Sequence, residues 1–278
     1  MLAAALITFR EGLEAALIVG IVLGYLVRIG QTRQLRYAWA GVFAAVLVSV
    51  VATLGLQVVG ASLEDPYEQI FEGSMMLLAV VILTWMIFWM RYQGRFMKRE
   101  LEHQVQSTLA TGATLGIFGL AFVAVFREGI ETALFLSASA FASDAAVTWM
   151  GSIIGLGLAI AAGYAVYVMS VRLDLKMFFD VTSVLLLIFV AGLFAHALHE
   201  FQEIGWLPIL TQQAWNLQNV LANDSTLGSV LRALVGYNDS PTMLEVVGYV
   251  MYWVVVLVGV RWWTQRLSTR VAPGQVHA

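Results

Sequence analysis

The chain contains no cysteine. That absence removes disulfides, thiolate metal sites and thiol catalysis together, and leaves methionine as the only soft ligand. Charge is scarce as well. Asp, Glu, Lys and Arg make up 12% of the 278 residues, about half the share of a soluble domain. The net charge of -3 decides little, because where the charges fall matters more than their sum. What fills the chain instead is apolar: 60% of residues are hydrophobic and the mean hydropathy is +0.82. This is the composition of a multispanning membrane protein.

A helix needs about 20 apolar residues to cross about 30 Å of hydrocarbon. Runs of that length centre on 2–27, 37–60, 70–90, 112–142, 145–170, 178–199 and 244–262, which predicts seven transmembrane helices in an all-α integral membrane protein. The first run has no basic start and is interrupted early by Arg10 and Glu11, so it reads as a retained helix and not as a signal peptide. With the amino terminus outside, every Lys and Arg in the connecting segments except Arg232 falls on the inner side, which places the carboxyl terminus in the cytoplasm. The opposite segments are acidic, with Glu64, Asp65 and Glu68 in one and Glu200, Glu203, Asp224 and Asp239 in another. Such a face attracts cations. Exclusion of basic residues from translocated loops explains the same pattern, and both readings stand.

Two basic residues remain inside helices, and each begins a motif. "FREGLEAAL" from Phe9 to Leu17 returns as "FREGIETAL" from Phe126 to Leu134, with seven of nine residues identical. Three predicted helices separate equivalent positions. The second copy therefore runs through the membrane in the opposite direction, which makes an inverted 3+3 repeat of about 1–92 and 109–200, followed by an outer loop at 201–243 and a seventh helix at 244–265. The whole of 1–267 reads as one permease domain, and 268–278 as a disordered cytoplasmic tail.

Glu11 and Glu14 share a helix face, as do Glu128 and Glu131, because residues three apart are neighbours on a helix. Arg10 reaches Glu14 and Arg127 reaches Glu131 at i,i+4, which leaves each motif with one net negative charge for a cation to neutralise. A charge at a helix centre costs about 2.5–3.5 kcal/mol on the insertion scale, and such residues usually mark a pathway. Ion-paired glue between the halves is the alternative. Carboxylates without cysteine suit hard cations such as iron, manganese or magnesium. Gly12, Ala16, Gly20 and Gly24 in the first helix, Gly112 and Gly116 in the fourth, and Gly151, Gly155, Ala159 and Gly163 in the fifth repeat at four-residue spacing and allow close helix approach.

The paired R-E-x-x-E helices, the seven-helix pattern and the third helix "EGSMMLLAVVILTWMIFWM" resemble the oxidase-dependent iron permeases of fungal plasma membranes and bacterial inner membranes. The resemblance runs from the amino terminus through the seventh helix. It implies a transporter and not an enzyme, with an iron ion as the transported substrate, no bound organic cofactor, and oxidation of ferrous to ferric iron by a separate iron-oxidising or iron-delivering protein at the outer face. It further implies that Glu11, Glu14, Glu128 and Glu131 are the iron ligands of the pathway and that Arg10 and Arg127 orient them. Cysteine is absent and histidine occurs four times, so no oxidase signature lies in the chain itself. No compact acidic run of the kind expected for iron capture in the fungal members occurs in the outer loop.

Other candidates stand beside the motifs. Glu72 lies within about a turn of the outer boundary, as a further ligand or as a glutamate reaching interface water. "HALHEF" puts His196 and His199 on one face with Glu200 beside the latter, a spacing for metal, for helix capping or for proton movement. The segment from Phe201 to Thr242 predicts one or two short amphipathic helices on the membrane surface, as a docking place for the oxidising partner or as a lid. That from Arg91 to Gln106 predicts a charged helix at the cytoplasmic surface. Beyond an iron importer, two readings stay open: a membrane-embedded di-metal carboxylate enzyme, whose usual Glu-x-x-His pair is missing from both motifs, and an exchanger for another cation or for protons. The partners expected are the lipid bilayer and the outer protein, with no nucleic acid; a second subunit is not required.

Overall fold

The computed structural model describes residues 1–93, 97–110, 114–143, 145–168, 175–223 and 225–270. Arg95, Gly112, Arg172, Asp224 and residues 271–278, on which parts of the sequence reading rest, lie outside the described residues. The long elements are all helices: α1 (Leu2–Arg28), α2 (Leu35–Ala61), α3 (Tyr67–Gln93), α4 (Met97–Ala110), α5 (Thr114–Ala142), α6 (Ala145–Val168), α7 (Leu175–Glu203), α8 (Thr226–Val235) and α9 (Met243–Arg270). β pairing among the described residues is limited to one isolated bridge between Gln213 and Thr242.

In hydrocarbon every backbone N–H and C=O must be satisfied within the segment, and a helix does so without help from neighbours. Among the described residues, five helices are long and apolar enough to cross a bilayer: those within Thr32–Ala61, Tyr67–Trp89, Ala145–Ala165, Met177–Glu203 and Met243–Arg261. The 27 residues of α1 and 29 of α5 are as long, about 40 Å at 1.5 Å per residue, but each carries the charges of its motif. Phe43, Leu47, Val58, Ile153, Ile160 and Val255 stand exposed on α2, α6 and α9. Such a girdle suits lipid and would be a liability in water.

The helices pack in a repeating scheme. α1 lies along α6 and α5 lies along α2; α1 meets α5, and α3 meets α7. The outer face of α7 carries α9, while α4 closes against α1 and α5. A large core gathers Ile7 of α1, Met76 and Leu83 of α3, Phe135 of α5, Leu186 of α7 and Tyr252 of α9. A smaller one joins Val22 and Leu26 to Ala38, Val105 and Ile117.

Close approach at glycine makes the two long pairs possible. A Cβ on Gly41 would strike the backbone carbonyl of Phe118, and one on Gly151 the backbone carbonyl of Met1. Neither neighbour can swing aside, since both are main chain. Gly41→Ala and Gly151→Ala should each cost about 1–3 kcal/mol, the usual range for overpacking. Gly55→Ala and Gly157→Ala, where nothing stands within 4 Å, should cost far less. Thermal unfolding in detergent measures all four, and equal losses across the set would contradict this packing.

The segment between α7 and α9 holds one helix, α8, where one or two were expected. Ser225 caps it by accepting a hydrogen bond from Gly228 N–H at 2.9 Å, and Gly236 ends it at φ 67°. Gly236 rests against Gly192 in the middle of α7, with no room for a side chain on either residue. Of the charged helix expected at 91–106, residues 91–93 belong to the end of α3, 94–96 lie outside the described residues, and the rest falls in α4, which runs on to Ala110.

Candidate site: carboxylates at the α1–α5 crossing

The two motifs sit where α1 and α5 meet, and their glycines explain the placement. A Cβ on Gly12 would stand 2.8 Å from the Cβ of Ala159 on α6, and one on Gly129 would stand 2.6 Å from the Cβ of Ser49 on α2. Each motif helix is thereby pressed onto its long partner along the glycine face. Glu11, Glu128 and Glu131, one or two positions from these glycines in sequence, turn toward the other motif.

Glu11, Glu128 and Glu131 each bring a carboxylate oxygen within 4.8 Å of the other two. Glu11 and Glu128 are buried, and Glu131 nearly so. Both oxygens of Glu11 and the Oε2 of Glu131 are buried without a hydrogen-bond donor. The three carboxylates form a cage that can hold a cation or a shared proton, since buried carboxylate oxygens are costly unless paired with a proton or a positive charge.

Both arginines pair as their spacing suggests. Arg10 Nε donates to Glu14 Oε1 at 3.2 Å, and Arg127 Nε donates to Glu131 Oε1 at 3.1 Å. The pairs differ in setting. The Arg10 side chain is 0% exposed, whereas that of Arg127 is 48% exposed and lies over the Trp89 ring at 4.7 Å. Of the four motif glutamates, Glu14 is the one held on its own helix and outside the converging three. Glu131 spans both roles, giving one oxygen to Arg127 and leaving the other toward the cage.

The remaining candidates lie apart from this cluster. Glu72 is half-buried on α3, where Gly73 next to it packs against Phe201 and Glu200 of α7. His196 and His199 do not converge on one point. His196 Nε2 lies 3.5 Å from the Arg232 guanidinium of α8, while His199 sits between two carboxylates, 2.9 Å from Glu245 Oε1 and 3.2 Å from Glu203 Oε1.

Sequence reasoning missed Glu245, which organises that end of α7. It accepts from Thr242 N–H at 3.0 Å and from Asn238 Nδ2 at 3.0 Å, and its own N–H donates to Thr242 Oγ1 at 3.3 Å. This is a capping box at the start of α9, and its signal, Thr followed three residues later by Glu, was present at Thr242–Glu245. Asn223 and Asp239 close the same segment by exchanging backbone and side-chain hydrogen bonds at 2.9 and 3.0 Å.

A family model described as the iron permease FTR1 family matches residues 1–270. The chain is 36% identical over 257 residues to a protein named ferrous iron permease EfeU from Escherichia coli O6:H1, covering 91% of this chain and 92% of that one. It is 37% identical over 256 residues to the protein of the same name from Yersinia pestis, covering 91% and 90%. No solved structure matches.

Proposed function

The chain belongs to the iron permease FTR1 family, and from that premise we propose that it imports iron through the cage formed by Glu11, Glu128 and Glu131. It is a multi-pass protein of a bacterial inner membrane and a permease, so it moves its substrate and leaves the bonds of other molecules alone. The observation that carries the pathway is the convergence of three carboxylates, two of them buried, from two helices within 4.8 Å. Arg10 and Arg127 act as positioning residues, each fixing one glutamate of its own motif.

Passage across a membrane needs a site reachable from each side in turn, and an inverted repeat supplies it. α1 and α5 cross the bilayer with the other five long helices, giving seven spans with the amino terminus outside. The register supports this. Positions in α1 and α5 correspond at a separation of 117, as Phe9 and Phe126 do, and those in α2 and α6 at 110, as Gly41 and Gly151 do. Under these two separations the contact of Gly41 with Phe118 is the mate of that of Gly151 with Met1. The contact of Gly129 with Ser49 is likewise the mate of that of Gly12 with Ala159. α9 stands outside the repeat.

Glu72, Glu200 and the histidines at the far end of α7 lie along the acidic outer approach, where ferrous iron arrives. Oxidation of ferrous to ferric iron by a separate outer protein is coupled to passage, and α8 with its flanking segment is the surface nearest to such a partner. Uptake of labelled iron by cells carrying the chain, with manganese and zinc as competitors, tests the proposal. Uptake above an empty-vector control that resists the competitors is expected. Uptake equal to that control, with an oxidising partner present, would sink it, and equal competition by manganese would reassign the cargo to divalent cations at large.

A further inference from the structure

The register relation pairs each position of α1 with one in α5 and each of α2 with one in α6, so the walls on either side of the carboxylates can be compared mate by mate. On the inner side, a cavity between α1, α2 and α5 is lined by Val22, Ala38, Val42 and Val125 among other apolar side chains. Their mates are Ser139, Thr148, Ser152 and Thr8. All four carry a hydroxyl and all four are buried, while the mates of the other four lining residues, Phe135, Leu136, Ala140 and Ala4, are apolar like them. Ser139 in turn lines a second cavity, walled by α5, α7 and α8, that also holds Ser143, His196 and Arg232. Ser143 Oγ lies 3.3 Å from Thr148 Oγ1, which links this cavity to the hydroxyls of α6.

The two walls differ in what they offer an ion. Thr8 Oγ1 donates to the Ala4 carbonyl at 2.8 Å and Ser152 Oγ to the Trp149 carbonyl at 2.8 Å. A hydroxyl whose proton is returned to its own helix still has lone pairs on the oxygen, and these accept from water or face a cation. Apolar constrictions act in the opposite sense and close a pathway by dewetting. At the foot of the hydroxyl side stand the two Glu11 oxygens that no donor meets.

Resting on the inverted repeat, orientation and cation pathway given above, we propose that Thr8, Ser139, Thr148 and Ser152 line a wettable access route from the outer face to the carboxylates. Their apolar mates Val125, Val22, Ala38 and Val42 form the inner seal. The repeat thus keeps the shape of the two half-pathways and divides their chemistry: one side is wet while the other is dry. Opening inward requires the seal to part, because none of its four side chains can hold water in place.

The chain has no cysteine of its own, so single cysteines report without background. Ser139→Cys, Ser152→Cys, Val22→Cys and Val42→Cys are made in the full chain, in membrane vesicles of known orientation, and exposed to a charged, membrane-impermeant thiol reagent from each face. Should one of these misfold by gel filtration, Thr8→Cys and Val125→Cys give a further mate pair. The two serine positions are expected to label from the outer face alone, and the two valine positions from neither face. Valine positions that label as readily as their mates, or serine positions that label from neither face, would overturn the proposal. Labelling of the serine positions from the cytoplasmic face alone would overturn the outer assignment and the orientation with it. Iron uptake by the wild-type chain is measured in parallel, so expected labelling without uptake removes iron as the cargo and keeps the route.

Discussion

Glu131→Gln is expected to abolish iron import while leaving the chain folded in the membrane. Glutamine keeps the shape of the side chain, so packing at the α1–α5 crossing is preserved. What disappears is the negative charge shared between Arg127, at 3.1 Å, and the cage with Glu11 and Glu128. Residues that merely orient a metal ligand cost about 10–100-fold when removed, so loss of a ligand in the cage should cost about 100-fold or more. Glu14→Gln is expected to abolish import by a different route. It removes the carboxylate that Arg10 meets at i,i+4 and so takes one negative charge away from beside the cage. Uptake assays at matched membrane levels measure both. Import by Glu131→Gln within about twofold of wild type, a change of under 0.5 kcal/mol, would mean that the cage is not on the pathway.

The second large effect separates two residues that the sequence makes equivalent. Arg10→Met should destabilise the fold by about 3–5 kcal/mol, the range for breaking a buried ion pair and stranding its partner. Arg127→Met should cost much less, because that guanidinium is half exposed and its pair lies in a less enclosed setting. The double variant Arg10→Met with Glu14→Gln removes both charges of this pair and should recover part of the stability without recovering import. Thermal unfolding of the purified protein gives the comparison. Equal losses for the two arginines, or no recovery in the double variant, would contradict the burial difference on which the expectation depends.

Much of the architecture was written in the chain. Long apolar runs announce α2, α3, α6, α7 and α9, because a bilayer demands length and hydropathy of each span independently. The duplicated R-E-x-x-E motif announced the crossing of α1 and α5, the two helices whose charge keeps them out of the plainly apolar set. Convergence of three glutamates and not four was not legible. It depends on how far each motif helix is rolled about its axis, and that roll is set by Gly12 against Ala159 and Gly129 against Ser49, contacts between segments distant in sequence.

The far end of α7 was harder to read for a related reason. "HALHEF" suggested that His196 and His199 act together, but a neighbour from elsewhere in the chain claims each: Arg232 for one and Glu245 for the other. Local spacing says which side chains share a face and nothing about what packs on it. The capping box of Thr242 and Glu245 was legible and would have shown that Glu245 is turned inward. The proposed apolar seal was hidden differently. Val22 or Val42 is unremarked in a membrane helix until the repeat supplies Ser139 or Ser152 as its mate.

The most direct test of the central claim is X-ray absorption at the iron edge on the purified, iron-loaded chain, beside Glu131→Gln prepared in the same way. Bound iron with an all-oxygen coordination shell is expected in the wild type, and loss of that iron in the variant. Imidazole nitrogen in the shell, or iron retained unchanged in Glu131→Gln, would place the metal elsewhere and contradict the claim.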